Sequence, residues 1–277
     1  MDSNSLPGSV IGNTPDFGSG FPGSSPGRAT LDGFHRELYE QEQTHWWHVG
    51  KRERVLALIA RFGARIPACR LLDIGCGTGG MLAELARRGQ AVGMDAQAEA
   101  LAFCRQRGVE TLIQHDLAQH PWPIADAQFD VVTALDVVEH VDRDDMCVRE
   151  IHRVLKPGGV AVVSVPAFQW LWSYWDEWLG HRRRYTRRQL VTLMRQAGFR
   201  VVWASYAECL TLGAIAPLRW WKGRQVTRGR AIGSDNAPPP GWVNRILLGY
   251  ERMENRLLRW MILPWGTSVA VVGMKEP

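Results

Sequence analysis

The chain has 277 residues, of which 45% are hydrophobic and 22% charged, enough apolar material for one large α/β core with an added cap. A net charge of only +5, without a recognisable nucleic-acid-binding module, argues against nucleic acid as the partner. The five cysteines are scattered and form no C-x-x-C pair, which argues against a zinc site or a disulfide framework and favours a reducing cytoplasm.

Along the chain, short Val- and Leu-rich runs alternate with helical patterns. Residues 1–30 are rich in Ser, Gly and Pro, lack the features of a signal peptide, and are expected to form a disordered tail. Strands are predicted near 70–74, 91–95, 110–114, 129–135, 160–165, 199–206 and 268–274, and helices near 51–62, 79–88, 97–107, 143–155 and 187–197. The alternation predicts a doubly wound, Rossmann-like α/β sheet with helices on both faces.

The first predicted strand ends in a glycine-rich turn. Asp73 is followed by Gly75, Gly77 and Gly79, and glycines at alternate positions allow both a tight turn and a close approach of ligand to backbone. The N–H groups of the next helix point into the same space. Asp95 closes the second strand, where it either accepts the ribose hydroxyls of an adenosine group or caps the following helix.

Four motifs together narrow this interpretation. They are Asp73-Ile74-Gly75-Cys76-Gly77-Thr78-Gly79, His115-Asp116-Leu117, Glu139-His140-Val141 and Leu155-Lys156-Pro157-Gly158-Gly159. In this order they resemble the class I S-adenosylmethionine-dependent methyltransferases over about residues 45–206, with a terminal strand at 268–274. The resemblance implies a seven-stranded sheet with an antiparallel last strand, and S-adenosyl-L-methionine as cofactor.

The same resemblance implies roles for single residues around the cofactor. Asp95 would bind the ribose and Asp116 the adenine amino group, although Asp116 is equally suited to forming a turn. Leu117 and Leu135 are assigned to the same site, and Asp73 would orient the glycine turn and the methionine part of the cofactor. Residues 156–159 are interpreted as a plain tight turn before the fifth strand.

Candidate catalytic side chains follow the fourth and fifth strands. His140 lies at the cofactor end and suits a general base, while His181 and Tyr185 are alternative acid–base candidates. The arginines of 180–186 either bind an anionic acceptor or form a solvated surface.

The segment Asp136-x-x-Glu139-His140 also resembles the metal-binding cluster of ubiquinone-biosynthesis O-methyltransferases, but structural capping explains it equally well and we expect no metal. Aromatic clusters at 44–48 and 168–175 are assigned to a lid and acceptor site, or to ordinary packing.

About sixty residues separate the last two predicted strands. We therefore expect a tail at 1–30, a cofactor-binding core with an N-terminal lid at 31–206, a helical insertion at 207–267 and the last core strand at 268–277. Within the insertion, residues 242–265 form an amphipathic pattern with arginines opposite an apolar stripe. The apolar stripe either packs on the core, over the acceptor site or in a homodimer, or rests on an anionic membrane surface; we favour packing beside Trp170 and Tyr185.

The sequence thus predicts a cytoplasmic methyltransferase, peripheral to the inner face of the membrane if residues 242–265 bind lipid. Its acceptor would be a small or lipid-linked molecule of secondary metabolism or envelope biosynthesis, methylated on oxygen. Because Gly75, Gly77 and Gly80 also satisfy the G-x-G-x-x-G pattern, an NAD(P)-dependent oxidoreductase is one alternative. A cofactor-binding protein without turnover is another.

Overall fold

The computed structural model describes residues 31–63, 69–213, 217 and 238–277, so the expected tail at 1–30 lies outside the described residues. Seven strands form one sheet in the order β3-β2-β1-β4-β5-β7-β6. Their bounds are β1 Arg70–Ile74, β2 Gln90–Asp95, β3 Leu112–Gln114, β4 Phe129–Leu135, β5 Leu155–Pro166, β6 Phe199–Ala207 and β7 Ser268–Lys275. The first five strands pair in parallel, and β7 runs antiparallel to both of its neighbours. The α/β fold class and its antiparallel last strand are confirmed.

Helices cover the sheet. They are α1 Leu31–Thr44, α2 Trp46–Phe62, α3 Gly80–Ala86, α4 Ala98–Gln106, α5 Asp144–Val154, α6 Tyr174–Leu179, α7 Arg187–Gln196 and α8 Gly241–Leu257. The strands β1, β4, β5 and β7 are almost entirely buried, as expected for a sheet with helices on both faces. Because β1 lies between β2 and β4, the order reverses at the carboxyl end of β1, where ligands bind in this class of sheet.

Three local predictions need correction. Helix α2 begins at Trp46 rather than near residue 51, because the ring of His45 accepts a hydrogen bond from Trp47 N and caps the helix. Strand β5 already begins at Leu155, so the turn predicted at 156–159 is a bulge inside the strand, where the pairing jumps between Phe129 and Val131. Helix α8 ends at Leu257, eight residues before the end of the amphipathic pattern.

Helix α1 is not among the helices predicted from the sequence. It packs against α2, α4 and α3, and it thereby lies over the end of the sheet that carries the glycine turn. The apolar pair Phe34 and Leu38, spaced four residues apart, was the available signal for it.

Candidate functional site

The glycine turn joins β1 to α3 in a left-handed backbone conformation. The φ angles are 60° at Gly75, 51° at Gly77 and 85° at Gly79. A Cβ at Gly75 would collide with Val137, and one at Gly79 would lie 2.9 Å from Cys104 Sγ, whereas one at Gly77 would meet only Leu38 Cδ2 at 4.0 Å. Gly75 and Gly79 are therefore required by packing, and Gly77 is the position that leaves space for a ligand to approach the backbone.

Asp95 lies beside this turn at the end of β2. Its Oδ2 accepts a hydrogen bond from Gly77 N at 2.9 Å, and its Oδ1 accepts one from Gln97 N at 2.9 Å. A carboxylate has about four acceptor positions, so two remain for a diol. Asp95 thus fixes the turn and still has the capacity to bind ribose hydroxyls.

The other residues assigned to the cofactor lie at the same edge of the sheet. Asp116 is exposed just beyond β3, and its Oδ1 accepts a hydrogen bond from Ala118 N at 2.9 Å, which forms an Asx turn. Leu117 is buried and Leu135 is half-buried at the end of β4. Asp116 and the two leucines thus lie at or just beyond the carboxyl ends of β3 and β4.

Asp73 is buried inside β1. Thr133 Oγ1 of β4 donates a hydrogen bond to Asp73 Oδ1 at 2.6 Å. Burial raises the pKa of Asp73 to about 7, and the Thr133 hydrogen bond only partly opposes this. Its position two residues before Gly75 makes it a support of the turn.

Helix α1 closes the glycine turn through Glu42, a contact that the sequence did not reveal. Glu42 Oε2 accepts hydrogen bonds from Thr78 Oγ1 at 2.6 Å and from Arg107 at 2.9 Å. The Arg107 guanidinium also donates to Thr78 O and Tyr39 O, at 2.7 and 2.9 Å, and lies 4.1 Å from the centre of the Tyr39 ring. Arg107 therefore fastens α1 across the turn.

Two histidines meet beyond the carboxyl end of β4. His140 ends the 3₁₀ turn Val138–His140, and its ring lies 4.7 Å from that of His181, centre to centre, edge to face. Desolvation by the surrounding protein, and then the neighbouring His181, lower the pKa of His140 to about 4, although the residue keeps an exposed edge. His140 is accordingly neutral at pH 7 and able to accept a proton, though as a weak base.

The third acid–base candidate has a different environment. Tyr185 is buried, and its hydroxyl donates a hydrogen bond to Asp144 Oδ2 at 2.8 Å. Burial and this hydrogen bond raise the pKa of Tyr185 above its ordinary value, so loss of its proton is unfavourable. The geometry favours a structural role that fixes the segment after α6 to α5.

The arginines of 180–186 are paired within the protein. Arg182 contacts Asp142 at 3.2 Å, Arg183 contacts Asp144 at 2.9 Å and Arg184 contacts the buried Asp176 at 2.7 Å. A groove of about 630 Å³ runs beside α7 and is lined in part by Arg183, Arg184 and Arg188. Because two of these three guanidiniums already have carboxylate partners, the run does not present a free cluster of cations to an anionic acceptor.

The carboxylate of Asp136 also has a charged partner within the protein. Its Oδ2 forms an ion pair with the buried Lys51 of α2, and the Lys51 ammonium lies 3.6 Å from the centre of the Trp47 ring. The metal set suggested by Asp136, Glu139 and His140 is therefore not assembled, because the Asp136 carboxylate turns to Lys51.

Helix α8 packs on α2 with its polar side, which overturns the expected burial of its apolar stripe. Within α8 the buried residues are Glu251 and Glu254. Arg54 of α2 contacts Glu251 at 3.3 Å and Glu208 at 2.5 Å. Glu254 accepts hydrogen bonds from the backbone N–H groups of Glu208 and Cys209. The stripe itself is largely exposed, at Ile246, Met253, Leu257 and Met261.

In the described part of the chain, α8 contacts α2, Thr44 at the end of α1 and the loop after β6, so its expected position beside Trp170 and Tyr185 finds no support. Among the described residues, none of the helices is both long and apolar enough to cross a membrane.

Comparisons with known proteins place this geometry in context. Residues 72–163 match the family model described as a methyltransferase domain. The malonyl-[acyl-carrier protein] O-methyltransferase of Pseudescherichia vulneris is 30% identical over 230 residues, which are 78% of this chain and 88% of that protein. The ubiquinone biosynthesis O-methyltransferase of Klebsiella pneumoniae is 34% identical over 151 residues, 47% of this chain and 60% of that protein.

The chain spans about 60% of the length of several of the curated relatives that it matches. Among solved structures, a putative sarcosine dimethylglycine methyltransferase from Galdieria sulphuraria superposes with a TM-score of 0.60 at 15% identity, covering 88% of this chain and 98% of that one. This likeness concerns the fold alone.

Proposed function

Because this chain belongs to the S-adenosylmethionine-dependent methyltransferases, we propose that it transfers the methyl group of S-adenosyl-L-methionine to an oxygen atom of a small or lipid-linked acceptor. The observation that carries the proposal is the position of His140 just beyond β4, which pairs with the β1 strand that ends in the glycine turn. A cofactor held by the turn and an acceptor held beside His140 would then lie next to each other.

The proposed cofactor site uses residues that the sequence already marked. Gly75, Gly77 and Gly79 shape the turn, and Gly77 leaves its backbone approachable. Asp95 would bind the ribose, and Asp116 would accept a hydrogen bond from the adenine amino group, with Leu117 and Leu135 against the adenine faces. When bound, the cofactor supplies an activated methyl group on a positively charged sulfur.

The chain's own contribution is positioning and proton transfer. Holding the acceptor oxygen in line with the methyl carbon, away from water, supplies most of the rate in such a reaction. His140 would take the acceptor proton, with His181 as the second candidate. Because the pKa of His140 is lowered to about 4, its imidazole is neutral at pH 7 but only weakly basic, so it suits a phenol better than an alcohol, whose proton is far harder to remove.

Two relatives named as O-methyltransferases support an oxygen acceptor, and their names mention a malonyl group and ubiquinone biosynthesis. A carboxylate is already ionised at pH 7 and needs no base, whereas a phenol does. The two acceptor classes therefore make different demands on His140.

This difference provides the test. Purified protein with labelled S-adenosyl-L-methionine is offered a panel of phenols and carboxylic acids, and methyl transfer is measured for the wild type, His140→Ala and His152→Ala. His152 lies in the last turn of α5, at the opposite end of the sheet, and serves as the matched control. On a phenol, His140→Ala should lower turnover by about 10² to 10⁴ without weakening cofactor binding. If His140→Ala turns over as fast as the wild type, the base is His181 or catalysis rests on positioning without a base. If no acceptor in the panel is methylated, the proposed activity is contradicted.

A membrane-associated acceptor is supported by one further observation. Trp242, Trp260 and Trp265 are exposed, with Trp260 at 90%, and four arginines lie between Trp242 and Trp260. We propose the cytoplasm as the compartment, with this segment resting on an anionic membrane surface and the insertion at 207–267 serving as a cap. Co-sedimentation with anionic vesicles, lost in Trp260→Ala, would support the contact; a homodimer detected by light scattering that is lost in the same variant would replace the membrane with a second copy.

A further inference from the structure

The side chain of Glu139 is buried without a hydrogen-bond partner. It is fully inaccessible to solvent, and neither of its carboxylate oxygens has a hydrogen-bond partner among the described residues. A buried carboxylate in this condition is costly unless something compensates it. The Glu139 carboxylate is therefore stable in this position only with a bound proton or a neighbouring cation.

The two histidines already described face this carboxylate. His181 Nε2 lies 3.9 Å from Glu139 Oε1, and the ligand atoms of Glu139, His140 and His181 all lie within 4.8 Å of one another. The two chain segments are tied together by the backbone, because Arg182 N donates a hydrogen bond to Glu139 O at 2.8 Å.

His181 is also held in the orientation that a metal ligand requires. Gly180, at a φ of 74°, ends α6 and brings the chain back toward Asp176, whose Oδ1 lies 2.8 Å from His181 Nδ1. Asp176 is fixed in turn by Arg184. A carboxylate that holds one imidazole nitrogen is the arrangement that orients histidines in metal sites, and it leaves the other nitrogen of His181 facing Glu139.

We propose that Glu139, His140 and His181 form a site for a divalent transition metal. Two imidazoles and one carboxylate suit Zn²⁺, Fe²⁺ or Co²⁺ better than Mg²⁺, which prefers oxygen ligands. This set differs from the one that the sequence suggested, since His181 takes the place of Asp136, which pairs with Lys51.

The spacing is compatible with such an ion. Metal–ligand bonds of about 2.1 Å place two ligand atoms of one ion at most about 4.2 Å apart. The ligand atoms of the three residues lie within 4.8 Å of one another, so their longest separation would have to shorten by at most about 0.6 Å. The exposed His140 is the member that would have to move, giving up its hydrogen bond to the Gly180 backbone, because His181 is held by Asp176.

Three protein ligands leave coordination positions open for another molecule. On the proposed function, an acceptor hydroxyl bound there would lose its proton to water more readily, because the metal stabilises the resulting oxygen anion. With the ion bound, His140 and His181 hold the metal and are not the base. The site therefore points to an acceptor with a chelating oxygen, and this last step depends on the methyltransferase activity, whereas metal binding itself does not.

The experiment measures metal binding without cofactor or acceptor. Tag-free protein, treated with a chelator, is titrated with Co²⁺ and followed by its visible absorption, and then with Zn²⁺ by calorimetry. We expect one ion per chain in the wild type and in the control His152→Ala, and affinity at least about 100-fold weaker in His181→Ala and Glu139→Gln. Circular dichroism verifies that each variant is folded, and Glu139→Gln, which preserves the size of the side chain, keeps the test valid if His181→Ala does not fold.

The outcomes separate this site from the proposed function. Absence of binding in the wild type, or equal affinity in Glu139→Gln, would overturn the metal site and leave methyl transfer untouched. Metal binding in a protein that shows no methyl transfer to any acceptor would overturn the proposed activity while leaving the site in place.

Discussion

The substitution Gly77→Ala tests most sharply whether the glycine turn is a cofactor cradle. The φ angle of Gly77 is 51°, a conformation that costs a residue with a Cβ about 1 to 2 kcal/mol. The new methyl group would meet only Leu38 Cδ2 at 4.0 Å, so no packing clash adds to this cost. The free energy of unfolding should therefore fall by about 1 to 2 kcal/mol.

Gly108→Ala is the matched control. Gly108 has a φ angle of 81°, and a Cβ there would meet nothing within 4 Å. It follows α4 and is not itself part of the turn, and its substitution should cost the same ~1 to 2 kcal/mol. The two variants thus carry equal backbone strain and differ only in whether the methyl group stands beside the proposed ligand.

Denaturant unfolding and calorimetric titration with S-adenosylhomocysteine measure the two quantities. We expect the variants to unfold at similar denaturant concentrations, while Gly77→Ala binds at least about tenfold more weakly, a loss of about 1.4 kcal/mol, and Gly108→Ala binds as the wild type does. Equal affinity in the two variants would show that Gly77 serves the turn alone.

Three further predictions address other parts of the account. Leu258→Asp should destabilise the fold by several kcal/mol because it buries a charge, whereas Leu257→Asp should change stability little, since these leucines are 4% and 43% exposed; the reverse order in denaturant unfolding would contradict the observed face of α8. Asp95→Ala should weaken S-adenosylhomocysteine binding by about 1 to 3 kcal/mol in calorimetry, and unchanged affinity would confine Asp95 to fixing the turn. The pKa of Asp73 is raised to about 7, so between about pH 4 and 7 the folded chain holds a proton that the unfolded chain has lost, and stability falls as pH rises. Asp73→Asn should flatten this slope, and an unaltered slope would refute the assignment.

The sheet was predictable because its signals are local. Buried parallel strands form short apolar runs, and glycines mark the turn after β1, so strand positions agree with the structure to within a few residues, except at β5. There the strand begins five residues earlier, because Leu155 pairs with Phe129 before the bulge. A glycine pair predicts a change of direction but does not distinguish a turn from a bulge.

The face of α8 could not be predicted from its own sequence. The amphipathic pattern indicated burial of the apolar stripe, but burial of Glu251 depends on Arg54, 197 residues away. An ion pair between residues so far apart along the chain leaves no periodic pattern in the sequence. Only the tertiary contact reveals that the carboxylates face inward.

The same holds for the acceptor side of the site. His140 was marked by its place after β4, and His181 by its place after the aromatic segment, but their proximity to each other depends on how α6 ends at Gly180. Sequence spacing alone groups the buried Glu139 with Asp136. The Lys51 ion pair separates that group.

The central claim is that the turn after β1 binds a sulfonium cofactor rather than a nicotinamide dinucleotide. Calorimetric titration of the wild-type protein with S-adenosyl-L-methionine, S-adenosylhomocysteine and NADH tests it directly. The account predicts one binding site per chain for each of the two sulfur compounds and no measurable heat with NADH. Tight binding of NADH, with neither sulfur compound bound, would contradict it.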